Sequence, residues 1–392
     1  MLFLPKRIMS NNNAILPVNI FNAGKADYEQ SLTFFGEKGG LLDSINRRYP
    51  KLWTLYKTLK KNDWDETEFN YLPCNTEFKT CDRSTYEIML RQLAWQWQGD
   101  SVAARSVIGI LAPVISATEV WTGYCRIVDN ENIHALTYSE IVRMSFDNPD
   151  KIISEILSIQ EAQKRLVAIA RIFDTAYELN HKYALGQIEY SQELYEANFM
   201  FLVALYCLER LQFMASFLIT FAICHGGQAF KPIGLAVQRI AKDEYEIHAP
   251  FGAELLRIEL SSERGKLAFK NNRQKILNLI DEVAMGEMDW IDYSFSEGRT
   301  LTGMTPQKGK NWVSFCAYPV YYLFGLEKEA GIPLLTENPC HFMTEWINID
   351  DNQGSPQEIH NNNYKTNVVN KNISDRKFTF ARPGKTIGTS PV

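Results

Sequence analysis

Glu131-Asn132-Ile133-His134-Ala135-Leu136-Thr137-Tyr138 is the stretch whose spacing decides how this 392-residue chain is read. Neither glycine nor proline interrupts it, and it reads as helix. Residues three and four apart share a helix face, so Glu131 and His134 project together and Tyr138 follows on the same side. A carboxylate and an imidazole placed this way can serve one metal ion. Alone the pair means little, because a surface glutamate near a histidine produces the same spacing.

A second cluster raises its weight. Lys242-Asp243-Glu244-Tyr245-Glu246-Ile247-His248 again sets carboxylates just ahead of a histidine, after the apolar stretch 233–240. Glu209 is a carboxylate inside a strongly apolar helix, and Asp100 follows the apolar, aromatic run 93–97. Buried carboxylates need charge partners. Four carboxylates and two histidines from four helices form the ligand set of ferritin-like dimetal bundles. Oxygen-rich ligands with imidazole suit iron or manganese better than a thiolate-seeking metal.

Outward from these clusters the patterning is helical nearly throughout. It covers 84–112, then 114–128 from a start or kink at Pro113, and 131–146, which could be continuous with the preceding stretch. Further helical stretches are 151–183, 194–224, 231–258 and 273–297, with breaks at Asn148-Pro149-Asp150 and Gly226-Gly227. From Asp350 the chain turns polar and Asn-rich, which reads as a flexible tail. The expected organisation is an N-terminal extension (1–30), one all-α ferritin-like bundle with the metal site in its core (31–349), and the tail (350–392).

Composition narrows the class. A formal net charge of −5 with 22% charged residues offers no sign of a basic surface for nucleic acid or an anionic membrane. Seven cysteines, an odd number without a C-x-x-C pair, read as reduced thiols of a cytoplasmic protein. The opening MLFLPKRIMS lacks a signal-peptide layout, and Met9 is an alternative start. The apolar stretch 199–224 is long enough to span a membrane. Glu209 and Arg210 near its middle would be costly there, so it reads as a core helix in which Glu209 has a partner.

The order Asp100, Glu131-x-x-His134, Tyr138, Glu209 and Asp243-Glu244…His248 resembles the small subunit of class I ribonucleotide reductases, over residues 30–365. Trp64, in Asn62-Asp63-Trp64-Asp65-Glu66, falls at that family's radical-relay tryptophan. Pro356-Gln357-Glu358 followed by Tyr364 resembles the tail segment with its interface tyrosine. The resemblance implies a di-iron centre, with manganese as the alternative, ligated by Asp100, Glu131, His134, Glu209, Glu244 and His248. It implies that dioxygen and an electron donor generate a radical on Tyr138, in a pocket formed by Phe213, Phe217 and Ile240. The radical would leave through Trp64, Asp243 and Tyr364 to a separate large catalytic subunit, where ribonucleotides are reduced. A homodimer pairing with that large subunit is implied in the same way.

Two features depart from the family pattern. Its second pair is E-x-x-H, whereas this chain has Glu244-x-x-x-His248, one residue longer. An i,i+4 pair still shares a helix face, and a π-bulge could equally absorb the extra residue. Glu246 is the poorer ligand on either account. The C-terminal segment is net basic, with Phe378 and Phe380 as the candidate anchor on the large subunit. The rival readings are a dimetal oxidase of the same fold, which has no use for the relay residues, and an iron-storage bundle.

Overall fold

The computed structural model describes residues 22, 24–27, 32–37, 39–227 and 229–347. Among them, α1 (Pro50–Lys61) and α2 (Leu72–Thr80) precede two long helices, α3 (Arg83–Leu111) and α4 (Thr118–Ser145). Next come α5 (Pro149–Leu157), α6 (Gln160–Ala184), α7 (Gln192–Cys207), α8 (Phe213–Gly227), α9 (Lys231–Asp243) and α10 (Ala249–Ser261). The last are α11 (Glu263–Ser294), α12 (Pro306–Leu323) and the short α13 (Met343–Ile347). β-Structure among the described residues is limited to isolated bridges.

Local chemistry sets the helix starts. Asp82 caps α3 by accepting the Thr85 amide at 3.0 Å, and Ser191, Ser262 and Thr305 cap α7, α11 and α12 in the same manner. Pro149 and Pro306 occupy the first turns of α5 and α12, where a missing N–H costs nothing.

Three expected boundaries shift, one of them simply: the helix expected from 273 starts ten residues earlier, at Glu263. The helix after Pro113 starts at Thr118 rather than Val114, and it runs unbroken through Ser145. The backbone before it is spent elsewhere: Val114 accepts the Phe35 amide at 2.8 Å, and Ser116 donates to the Thr33 carbonyl at 2.9 Å. The stretch 151–183 divides into α5 and α6, because the chain leaves helical geometry at Ile159 (φ −77°, ψ 88°).

Four long helical columns surround the site. α3 packs along α4, α6 and α8, while α4 also meets α1, α2 and α9. The column formed by α7 and α8 is apolar enough to cross a membrane, but 94% of its most apolar window is buried within the bundle. It is the core helix of the fold, and its burial rather than amphipathicity explains the absence of a polar face. Parts of the N-terminal segment are tied to this bundle: Asp27 accepts the Thr118 hydroxyl at 2.7 Å.

The α7–α8 and α9–α10 columns each contain a π-turn, Leu208–Gln212 and Glu244–His248. A π-turn takes in one extra residue and often marks a functional site. The second resolves the departure noted above: the additional residue before His248 is absorbed by wider winding, and Glu244 and His248 remain on one face. The two π-turns pack on one another. Arg210 of the first stacks on Tyr245 of the second, 4.2 Å from its ring centroid, and reaches its hydroxyl at 3.3 Å.

Candidate metal centre

Asp100 from α3, Glu131 and His134 from α4, Glu209 from the first π-turn, and Glu244 and His248 from the second converge in the bundle core. Each is at most 3% exposed. Their ligand atoms fall into two overlapping groups: Asp100, Glu131, His134 and Glu244, then Glu131, Glu209, Glu244 and His248, with atoms in each within 4.8 Å of one another. Glu131 and Glu244 belong to both. Two cations could be held side by side here, one by each group, with Glu131 and Glu244 available to both.

The imidazoles are oriented for that purpose. His134 turns Nδ1 toward the cluster, 3.1 Å from a Glu244 oxygen, and sets Nε2 3.3 Å from Asp243. The same Asp243 oxygen accepts the Trp64 indole N–H at 2.8 Å. Trp64, Asp243 and His134 are therefore joined in series, and the Trp64 and His134 rings stack at 5.8 Å and 25°. His248 likewise points Nδ1 inward, 3.0 Å from Glu131 and 3.2 Å from Glu244. Its Nε2 lies 2.9 Å from the Asn130 side-chain oxygen. That partner fixes the ring's tautomer and direction, as outer partners of ligating histidines do.

Asn130 was not legible as a site residue. Its only signal is adjacency to Glu131, and its value depends on α4 meeting the second π-turn.

Electrostatics show a cluster built for added positive charge. Burial, followed by the charge of Glu131, pushes the Asp100 carboxyl well above its usual range. Burial also raises Glu209, to about 7. Burial, with the charges of Glu131 and Glu209 adding to it, likewise pushes Glu244 well above its usual range. Burial opposes ionisation of Glu131 too, but His134 and His248 outweigh it and bring that group down to about 2. Both histidines are raised, since contacts with Asp243 and Glu131 respectively overcome the desolvation that would lower them.

Both Asp100 oxygens, both Glu131 oxygens, His134 Nδ1 and one oxygen each of Glu209 and Glu244 lack a hydrogen bond of sound geometry among the described residues. Such orphaned acceptors are costly unless a cation satisfies them. Oxygen and imidazole donors in this number fit a pair of hard-to-borderline divalent ions.

Tyr138 is wholly buried on the face of α4 that carries Glu131 and His134, and its hydroxyl is unpartnered among the described residues. Burial and then the charges of Asp100, Glu244 and Glu131 raise its phenol well above the ordinary value, holding it protonated. Phe213, Phe217 and Ile240 are also fully buried, and the two phenylalanine rings stack at 5.8 Å. Tyr364, Phe378 and Phe380 lie outside the described residues.

A helical bundle with two carboxylate–histidine groups sharing two glutamates defines the class: a ferritin-like bundle with a candidate dimetal carboxylate site in its core. The family described as ribonucleotide reductase, small chain, matches residues 43–331, and the chain belongs to that family. It is 24% identical over 377 residues to a ribonucleoside-diphosphate reductase subunit beta of Buchnera aphidicola subsp. Schizaphis graminum, covering 91% of this chain and 97% of that protein. Among solved structures, a ribonucleotide reductase subunit from Clostridium botulinum superposes with a TM-score of 0.70 at 17% identity, covering 83% of this chain and 97% of that one. A dimanganese(II) protein from Streptococcus sanguinis gives a TM-score of 0.58 at 12% identity, over 72% of this chain and 91% of its own. At these identities the two structures speak for the fold.

Proposed function

We propose that this chain is the radical-generating β subunit of a ribonucleoside-diphosphate reductase, storing its radical on Tyr138. The observation that carries the reading is that the two overlapping ligand groups meet at Glu131, on the α4 face that also carries Tyr138, buried and without a hydrogen-bond partner among the described residues. Asp100 and His134 would complete one metal position, Glu209 and His248 the other, with Glu131 and Glu244 common to both. Two iron ions, or manganese in their place, would supply with dioxygen and one further electron the oxidising power that protein side chains lack.

The chain's own residues do the rest. Tyr138 would give up one electron to the oxidised centre, its hydroxyl proton leaving with the water formed as dioxygen is reduced. Phe213, Phe217 and Ile240 wall the pocket with apolar surface, which excludes water and reductants from the phenoxyl. The series Trp64, Asp243 and His134 provides a hydrogen-bonded route outward from the centre, with the Trp64 N–H donating to Asp243. Tyr364 continues that route in the segment 350–392, which serves as the tail that docks on a large catalytic subunit. Ribonucleotide reduction takes place there, so this chain alone reduces no nucleotide.

The bundle, 31–349, is the metal-bearing domain and pairs as a homodimer. The seven free cysteines fit a reducing, cytoplasmic setting.

The test is anaerobic titration with ferrous ion followed by dioxygen. The reading requires two ions per chain and a tyrosyl signal in the electron paramagnetic resonance spectrum. Two bound ions with no radical would favour a dimetal oxidase, and many ions per chain a storage protein.

A further inference from the structure

Arg165 of α6 has no place in the site described above, yet it is buried deep in the bundle beside the π-turn that carries Glu209. Its guanidinium stacks on two indoles, 3.7 Å from the Trp95 ring centroid and 4.5 Å from that of Trp290. Glu287 of α11 holds it in a two-point ion pair through Nε, at 2.9 Å, and Nη2. The same Nη2 donates at 2.8 Å to the backbone carbonyl of Gln212, the last residue of the π-turn. The Trp95 indole N–H donates to that carbonyl too, at 3.2 Å. The Gln212 side chain answers by donating to the Arg165 carbonyl at 2.8 Å.

A carbonyl oxygen has two lone pairs, and here two side chains from neighbouring helices use them. Tying that carbonyl to two neighbouring helices anchors the C-terminal end of the π-turn, and so opposes relaxation to α geometry, which would have to rotate one side of the turn against the other. Such relaxation would turn Glu209 about 100° around its helix axis relative to the residues that follow.

We infer that Arg165, with Trp95, is a clamp on the π-turn that positions Glu209 for the metal ion it shares with His248. The inference rests on the reading that the centre takes two divalent ions. It makes Arg165 a positioning residue: it touches no ligand side chain and acts through the Gln212 backbone.

Manganese(II) binding to the full-length protein, followed by electron paramagnetic resonance, provides the test. The wild type takes two ions per chain. In Arg165→Ala combined with Glu287→Gln, which avoids stranding a buried carboxylate, the Glu209–His248 position is expected to weaken about 10- to 100-fold, the usual effect of losing an outer partner. The Asp100–His134 position keeps its affinity. A merely structural loss would weaken both alike.

Chemical rescue adds a second readout. A cavity of about 630 Å³ borders Arg165, Gln212 and Trp290 and opens past the exposed Lys164 and Met285. Millimolar guanidinium is expected to restore the weakened position, and sodium at equal ionic strength is not. If the double variant fails to fold, Trp95→Phe removes the indole donor while keeping an aromatic ring beside Arg165, and should weaken the same position several-fold.

The clamp is overturned if a folded variant binds both ions as the wild type does, if both positions weaken equally, or if Trp95→Phe leaves both unchanged. A wild type that does not take two ions overturns the dimetal reading itself, and the clamp with it.

Discussion

Cutting the carboxylate from Asp243 separates the metal centre from Trp64, and the structure sets the scale of the loss. One Asp243 oxygen takes the Trp64 N–H at 2.8 Å and lies 3.3 Å from His134 Nε2, at a position 3% exposed. Asp243→Ala leaves both nitrogens without their acceptor. Each buried donor stranded in this way costs about 1–3 kcal/mol, so the pair costs about 2–6 kcal/mol. That is a large share of the roughly 5–15 kcal/mol that holds a typical domain folded.

Asp243→Asn retains a carbonyl oxygen that can face both donors. It forfeits only the charge-assisted part of the two bonds, about 1–2 kcal/mol. The same loss frees the His134 ring, so metal affinity should fall about 10- to 100-fold. Urea unfolding with and without manganese(II) separates the two effects. Asp243→Ala should lose stability without metal and lose more with it, while Asp243→Asn should sit between Ala and wild type. An Ala variant as stable as wild type and equally avid for metal would refute the series of Trp64, Asp243 and His134 as a working unit.

Other outcomes follow from the same geometry. Phe213→Ala empties a fully buried site and should cost about 3–5 kcal/mol by denaturant titration, with faster decay of the Tyr138 radical. At Gly99 an added Cβ would lie 2.8 Å from a Phe213 ring carbon, so Gly99→Ala should lower stability by about 1–3 kcal/mol in a thermal melt. Glu209→Ala should reduce manganese(II) stoichiometry from two toward one, whereas Glu131→Ala, which removes a side chain common to both groups, should weaken both positions in the same titration. Tyr364→Phe should keep the radical signal of the isolated chain and abolish nucleotide reduction when the large subunit is added.

Much of this was legible because the relevant signals are local. Glu131, His134 and Tyr138 share a face by spacing alone, and α4 carries them on one face. Glu209 in an apolar stretch pointed to a buried charge with partners, and the cluster supplies them. What escaped the sequence depends on contacts between distant segments. The start of α4 is set by residues 33–35 exchanging backbone bonds with 114–117, which no periodicity around Pro113 reveals. The π-turn at 208–212 leaves no trace in composition, and its outside donors lie 47 and 117 residues away in sequence. The π-turn at 244–248 was suggested by the extra residue before His248, but an ordinary helix was an equal account until the winding was seen. Asn130 and Arg165 matter only through the backbone and imidazole they meet after folding.

Tyr138 remains the residue on which the functional account depends. The most direct test is to load the full-length chain with ferrous ion, admit dioxygen and record the electron paramagnetic resonance spectrum, using protein with ring-deuterated tyrosine alongside the unlabelled form. The account predicts a long-lived signal whose hyperfine splitting narrows on deuteration, and its loss in Tyr138→Phe with two ions still bound. A long-lived tyrosyl signal that persists unchanged in Tyr138→Phe, or no tyrosyl signal from a fully loaded wild type, would contradict it.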